Sequence, residues 1–242
     1  MRKGLILSGA IVLAACGQQG TTGGTTVAAA APVAGKAPPA GKQWTEVVSA
    51  TPEGGYRMGN PDAPLKLIEY GSRACPYCAK FDAEGYPALK DGLIKQGKLS
   101  YEFRDYPIHG ALDLAPALLG HCVDPDAFFP MLDQMMSNQQ TLLANVEQVA
   151  RGLQGQPAPQ TALGFAQGLG YLDFVKQRGL PEAKARACLA DQKAIQAIAD
   201  RYQAANQQYN VSGTPTFILN GRKLENVGDW AQLQPALKAA GG

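Results

Sequence analysis

The chain of 242 residues is short of several things, and each shortage removes a class of answers. It holds only two histidines, and Cys75 and Cys78 are its only closely spaced cysteines. A structural zinc site usually brings a second close pair, so a zinc or copper site built from these two with His109 or His121 has little to draw on. Charged side chains make up 17% of the chain, with no run of one sign. Neither nucleic acid nor an anionic membrane surface is then an electrostatically favoured partner. No apolar run reaches the ~20 residues that a spanning helix needs, and no repeat recurs at solenoid spacing. Between residues 17 and 43 there is no aromatic and no acid, only Gly, Ala, Thr and Pro in excess. Such a stretch cannot bury a core and is expected to be a flexible tether with a reach on the order of 30 Å.

What is present begins with MRKGLILSGAIVLAA, a basic start followed by an apolar stretch with small residues before Cys16. That pattern predicts a secretory signal peptide over residues 1–15. The sequence LAAC resembles the lipobox of bacterial lipoproteins, which implies acylation of Cys16 and anchoring by lipid alone; a plain cleavage site is the alternative. The absence of aspartate after Cys16 leans towards the outer membrane. Cleavage removes Arg2 and Lys3 and no acid, which brings the 22 basic residues level with the 20 acidic ones. The mature protein is therefore close to neutral. Setting Cys16 aside leaves four of the five cysteines, an even number that in an exported chain reads as two bridges with three possible connectivities.

Folded sequence is expected from about Trp44. PLKLIEYG (64–71) reads as a central strand. Residues 75–96 read as a helix kinked by Gly85 and Pro87, and KLSYEFRD (98–105) as a second strand, giving a right-handed βαβ unit with parallel strands. Residues 44–110 form this first half. Residues 111–186 turn helical throughout, with apolar clusters between Pro and Gly punctuation, and read as an insertion. From 187 the pattern predicts one long helix to Tyr209, a hairpin turning at Asn220 and Gly221, and a final helix capped by Asp229. The whole order resembles an α/β thioredoxin fold with an all-helical domain inserted between its βαβ and ββα halves.

The chemistry concentrates in EYGSRACPYCAKFD. A cysteine at the first turn of a helix meets unpaired N–H groups and the positive end of the helix dipole, both of which favour thiolate over thiol. Cys75 holds that position, with Pro76 tolerated behind it because its missing N–H would have no partner there. Cys78, one turn on, can close a disulfide with it. A thiolate attacks, and a thiol of low pKa leaves well. Cys75 is thus expected to form the mixed disulfide with substrate and Cys78 to resolve it. Glu69, six residues before Cys75, reads either as a solvated strand acid or as a buried proton acceptor.

CPYC after a strand, with VSGTPTF (211–217) far downstream, resembles the DsbA-type thiol:disulfide oxidoreductases, and the likeness runs from Trp44 to the C-terminus. The phrase TPEGGYRMGNPDAP and a cysteine pair outside the active site place it nearest the alphaproteobacterial members. The resemblance implies that Pro215 is a cis-proline packed on the cysteines. It implies that Thr214 offers its backbone to an extended substrate segment, and that Glu69 helps move the proton of the resolving cysteine. It implies no cofactor beyond the Cys75–Cys78 disulfide itself. The expected partners are reduced or misoxidised exported proteins and an unidentified membrane redox partner, with the chain acting as a monomer. Many members have histidine where Tyr77 stands. Losing that cation should weaken the oxidant, to a potential between about −120 mV and roughly −200 mV.

The remaining pair, Cys122 and Cys188, reads as a structural bridge rather than two buried thiols, and closing so long a loop would stabilise by roughly 4 kcal/mol in the chain-entropy model. It is expected to pin the insert to the start of the long helix. Two other readings stay open. A disulfide isomerase or reductase of the same fold also uses a threonine before the cis-proline, although isomerases dimerise through an N-terminal domain that residues 17–43 cannot form. A non-catalytic peptide- or metal-binding lipoprotein would not need an intact CxxC.

Overall fold

The structure, a computed structural model, describes residue 1 and residues 30–242. The expected signal peptide, Cys16 and the first part of the tether lie outside the described residues. Among those described, strands β1 (Val48–Ala50), β2 (Tyr56–Gly59), β3 (Leu65–Gly71), β4 (Leu99–Asp105), β5 (Thr216–Leu219) and β6 (Arg222–Lys223) form one sheet in the order β1-β2-β4-β3-β5-β6. β3 and β4 are parallel, as a βαβ crossover requires, and every other pairing is antiparallel. β5 and β6 meet at Asn220 and Gly221, both at positive φ (50° and 79°), the backbone that a tight two-residue hairpin turn demands. β1 and β2 were not foreseen: three- and four-residue strands carry too few alternations to register as a pattern, and they extend the sheet past β4.

Alternation along the central strands decides which side chains meet. On β3, Leu65, Leu67 and Glu69 share one face; on β4, so do Leu99, Tyr101 and Phe103. This face carries the main core, closed by Phe81 of helix α1 (Pro76–Glu84), Leu89 of α2 (Tyr86–Leu89), Leu233 and Leu237 of the last helix, and Phe217 of β5. Phe81 and Phe217 stack edge to face with centroids 4.7 Å apart, each fully buried and so contributing ~2 kcal/mol of transfer free energy. The opposite face buries Tyr70, Tyr106 and Ile218 against Ala205 and Val211.

α1 stops at Gly85, whose N–H reaches Phe81 O at 2.7 Å. Pro87 then has no N–H to give the carbonyl four residues back, so the chain resumes as α2 and a wider π-type turn, Lys90–Ile94. The insert consists of α3 (Ala111–His121), α4 (Phe128–Ser137), α5 (Gln139–Leu142), α6 (Val146–Gly152), α7 (Ala158–Gly168), α8 (Tyr171–Lys176) and α9 (Glu182–Ala190), with its own apolar core around Leu118, Leu119, Phe165, Tyr171 and Leu189. It is followed by α10 (Gln192–Tyr209) and, after the hairpin, α11 (Trp230–Ala239), capped by Asp229.

Four expectations need correction. The single helix from 187 to 209 is two helices, because Asp191 adopts extended backbone (ψ 101°) and its carboxylate accepts the N–H groups of Lys193 and Ala194 as an N-cap. The helical insert therefore runs to Ala190, and Cys188 belongs to α9. The disulfide that the structure forms between Cys122 and Cys188 ties α3 to α9 inside the insert, not the insert to α10. Nor does ordered chain begin at Trp44. Ala30 N–H donates to Ala239 O at 3.0 Å, Val33 N–H to Gly241 O at 2.8 Å, and Trp44 Nε1 to Lys36 O at 2.6 Å. A segment without aromatics or acids is held by its backbone and by Val33 against the main core.

Candidate active site

β3 ends at Gly71, and Ser72, Arg73 and Ala74 turn the chain into α1, with Cys75 as N-cap and Pro76 in the first turn. Cys75 and Cys78 are both free thiols. Their surroundings differ sharply. The Cys78 thiol is wholly buried, and Ser72 N–H points at its sulfur at 3.4 Å. Cys75 is itself only 5% exposed, but it lies at the rim beside a Tyr77 that is 67% exposed, its thiol donating to Thr214 O at 3.3 Å. Thr214 arrives there because Thr216 of β5 pairs with Tyr70 of β3, which sets the loop before β5 against the head of α1; the Thr214–Pro215 peptide is cis. Tyr77, Lys80, Thr214, Pro215, Asp229 and Gln232 line a shallow surface pocket at this rim.

The environments pull the two thiols apart. Hydrogen bonding from Cys78 lowers the Cys75 pKa to about 5, against its burial, with the Thr214 side chain and the N–H groups of Cys78 and Tyr77 adding to the effect. Burial pushes the Cys78 thiol well up, and its hydrogen bond to Cys75 and the Glu69 charge push the same way. Glu69 is 1% exposed. The same strand phase that puts Leu65 and Leu67 in the core puts Glu69 there, so the solvated alternative does not describe it. Burial raises its carboxyl to about 8, while the Tyr101 hydroxyl, donating to Oε2 at 2.6 Å, works against that rise. Asp82, one turn past Cys78, is raised to about 7 by burial and by the neighbouring Asp133.

Several residues around the thiols gave no signal in the sequence. Arg73 is fully buried, its Nε and Nη2 on Asp105 at 2.7 and 3.2 Å, and His121 Nε2 lies 3.0 Å from the same carboxylate. This ion pair, with the guanidinium over the Phe128 ring, locks the turn before Cys75 between β4 and the insert. The Arg73 guanidinium, helped by the hydrogen bond from His121, holds the Asp105 carboxyl well below its usual range even though it is buried. Gln139, at the head of α5, donates to both Arg73 O and Cys75 O at 3.0 Å. On the other side Ser72 Oγ donates to Asp113 Oδ1 at 2.7 Å. None of these has a spacing rule, since each reaches the turn from an element dozens of residues away. A lone Arg inside the motif was the one cue the sequence offered.

Among the described residues, no group of three or more His, Cys, Asp or Glu side chains is arranged to hold a metal ion, and no helix is long and apolar enough to cross a membrane. His121 sits on Asp105 and His109 on Asp113, each with its own carboxylate.

A family model described as thioredoxin matches residues 51–239. Disulfide bond formation protein D of Bacillus subtilis is 25% identical over 202 residues, covering 81% of this chain and 82% of that protein. A putative protein-disulfide oxidoreductase of Rickettsia bellii is 25% identical, but the chain spans only 58% of its length. Among solved structures, that of a protein-disulfide isomerase from Novosphingobium aromaticivorans superposes with a TM-score of 0.71 at 30% identity, covering 75% of this chain and 94% of that one.

Proposed function

The chain belongs to the thioredoxin family, and from that premise we propose that it is an exported thiol:disulfide oxidoreductase that introduces disulfides into reduced proteins through Cys75 and Cys78. The observation that carries this reading is the division between the two thiols: Cys75 at the rim is held low, and Cys78 in the core is held high. A pair so divided is directional. A substrate thiolate attacks Cys75 of the Cys75–Cys78 disulfide, the mixed disulfide forms, and Cys78 leaves as a thiolate that takes a proton. A second substrate thiolate then attacks the substrate sulfur, releasing Cys75 as a stabilised thiolate. Two electrons pass from substrate to the pair.

In the reverse direction the Cys78 thiol must lose its proton to attack, and Glu69 is the acceptor. A carboxyl raised to about 8 is matched to this task near neutral pH, where one held at 4.5 would be a weak base. Thr214 presents its backbone to an extended substrate segment, with Tyr77 as the apolar contact beside it. The pair would need a membrane redox partner to be reoxidised, and lipid at Cys16 would hold the protein near it. The dithiol–disulfide pair supplies the redox chemistry without another cofactor.

The names of the relatives support the disulfide chemistry, and the name of the Novosphingobium protein favours a second reading, disulfide isomerisation. Thiol trapping in the producing cells separates them. A pair found mostly oxidised, with reduced substrate protein gaining disulfides from the purified oxidised chain, supports the oxidase. A pair kept mostly reduced overturns it in favour of the isomerase. Equilibration with glutathione adds the potential: a value near that of thioredoxin, about −270 mV, would be too reducing for an oxidase.

A further inference from the structure

A thiolate at the head of α1 is favoured by nearby positive charge, and Pro76 and Tyr77 offer none near neutral pH. Arg73 is engaged by Asp105, and Lys80, which lines the surface pocket, is exposed and 4.0 Å from Glu84. His109, in the loop between β4 and α3, is a further basic side chain, bound to the turn that delivers Cys75. Its backbone N–H donates to Asp113 Oδ2 at 2.7 Å, and its Nδ1 lies 3.2 Å from that oxygen and 3.3 Å from Ser72 Oγ. A carboxylate can only accept, so Nδ1 carries a hydrogen, and Nε2 is the nitrogen that titrates, on a side chain 40% exposed.

The imidazole is fastened to the turn that delivers Cys75. Ser72 Oγ accepts from Ala74 N–H at 3.1 Å, and Ser72 N–H lies on the Cys78 sulfur at 3.4 Å. The Ser72, His109, Asp113 trio is not a nucleophilic site: Ser72 is buried and gives its proton to Asp113, not to the imidazole. Hydrogen bonding to Asp113 raises the His109 pKa, and the Cys75 charge raises it further. Coupling of this kind is reciprocal, so whatever the thiolate does for the imidazolium, the imidazolium does for the thiolate.

We propose that His109 is a positioning residue for the redox pair, an imidazolium held by Asp113 against the Ser72–Cys75 turn that stabilises the Cys75 thiolate and makes the pair's oxidising strength depend on pH. The groups that act on it are Asp113 on α3, the Ser72 hydroxyl in the turn and the Cys75 thiolate at the head of α1. While His109 is protonated, the reduced form gains the thiolate–imidazolium attraction and the disulfide is the stronger oxidant. As pH rises through the raised His109 pKa, the attraction is lost and the disulfide is more readily kept.

The consequence for oxidation rests on the exchange role given above to Cys75 and Cys78, but the coupling does not need turnover to be seen. The test follows the His109 ring resonance of the whole chain against pH by NMR, assigned with His109→Gln, in the dithiol and disulfide forms. The expected result is a His109 pKa higher by about 0.5 or more in the dithiol form, where the thiolate exists. Equal values in both forms overturn the proposal. Thiolate absorbance at 240 nm gives the reciprocal: His109→Gln should raise the Cys75 midpoint and His109→Lys bring it back towards wild type. A midpoint unmoved in His109→Gln overturns it as well. Loss of the exchange reading shows separately, as turnover surviving in Cys75→Ser.

Discussion

Cys75 and Cys78 on one side, and Cys122 and Cys188 on the other, are four chemically identical side chains put to opposite uses by their surroundings. The first pair is two residues apart at a helix head, with one sulfur at the rim and a buried carboxyl behind the other. The second pair is separated by 66 positions, spans Cα atoms 6.1 Å apart, and joins two helices of the insert amid Leu119, Phe165 and Leu189. A disulfide is easily opened where the departing sulfur is stabilised as a thiolate. Helix N–H groups, Thr214 and the neighbouring thiol do that for Cys75. Around Cys122 and Cys188 the neighbours are apolar apart from Lys184 O, an acceptor 3.7 Å from the Cys122 sulfur, so a departing thiolate finds no comparable support. The lesson is that a bond's reactivity is written in the groups around its reduced form.

The comparison breaks most visibly at Cys75. Cys75→Ser is expected to abolish oxidation of a reduced substrate protein, while Cys78→Ser accumulates mixed disulfides that appear on non-reducing gels. The pair Cys122→Ala and Cys188→Ala should leave exchange within about threefold of wild type but lower stability by about 4 kcal/mol in the chain-entropy model, read by urea unfolding. Exchange lost with the second pair, or stability unmoved, would erase the distinction between a working bond and a holding one.

Glu69→Gln sharpens the same contrast through pH. A carboxyl raised from 4.5 to about 8 keeps its proton in the folded state where the unfolded chain has released it. Stability from this group is therefore present below pH 4.5 and declines as pH rises through 8. Glutamine does not titrate, so the reduced variant should gain on wild type across that window, by on the order of 2–4 kcal/mol. Its resolving step should slow by about tenfold near neutrality, since the Cys78 proton has lost its acceptor. Rapid-quench measurement of mixed-disulfide decay reads the rate, and a gain that does not grow with pH would mean that Glu69 is already ionised.

What could be read from the chain divides along the same line. The strand phase of PLKLIEYG, the helix-head cysteines and the Asn220–Gly221 turn are local patterns, and the structure places Glu69, Cys75 and Cys78 together because those patterns are short-range. Thr214 could be placed beside them only by likeness to a known family, since nothing in GTP says which strand it will flank. The supports of the turn were illegible: Asp105 on Arg73 with His121 behind it, Asp113 and His109 on Ser72, Gln139 on two carbonyls. Each is an ordinary polar residue until tertiary structure delivers it. The break at Asp191 was available, because an aspartate before Lys193 and Ala194 is a capping signal, but the apolar periodicity running through it masked the stop.

The smallest expected effect tests whether the α5 link to the redox pair acts through its hydrogen bonds. Gln139 Nε2 is the link from α5 to the carbonyls of Arg73 and Cys75. Cys75 O also accepts from Ala79 N–H at 3.1 Å, so losing the amide leaves the turn weakened but not bare. Gln139→Ala should therefore cost about 1 kcal/mol and slow exchange by about two- to threefold. Gln139→Glu is the decisive companion, because it keeps the shape but can only accept when ionised, and it sets a carboxylate against two carbonyl oxygens. If the donated hydrogen bonds hold the turn, glutamate is worse than alanine in both unfolding and exchange. If glutamate is tolerated as well as glutamine, α5 supports the turn by packing, and the polar links from the insert to the thiols run through the buried Arg73 and through Asp113 on Ser72.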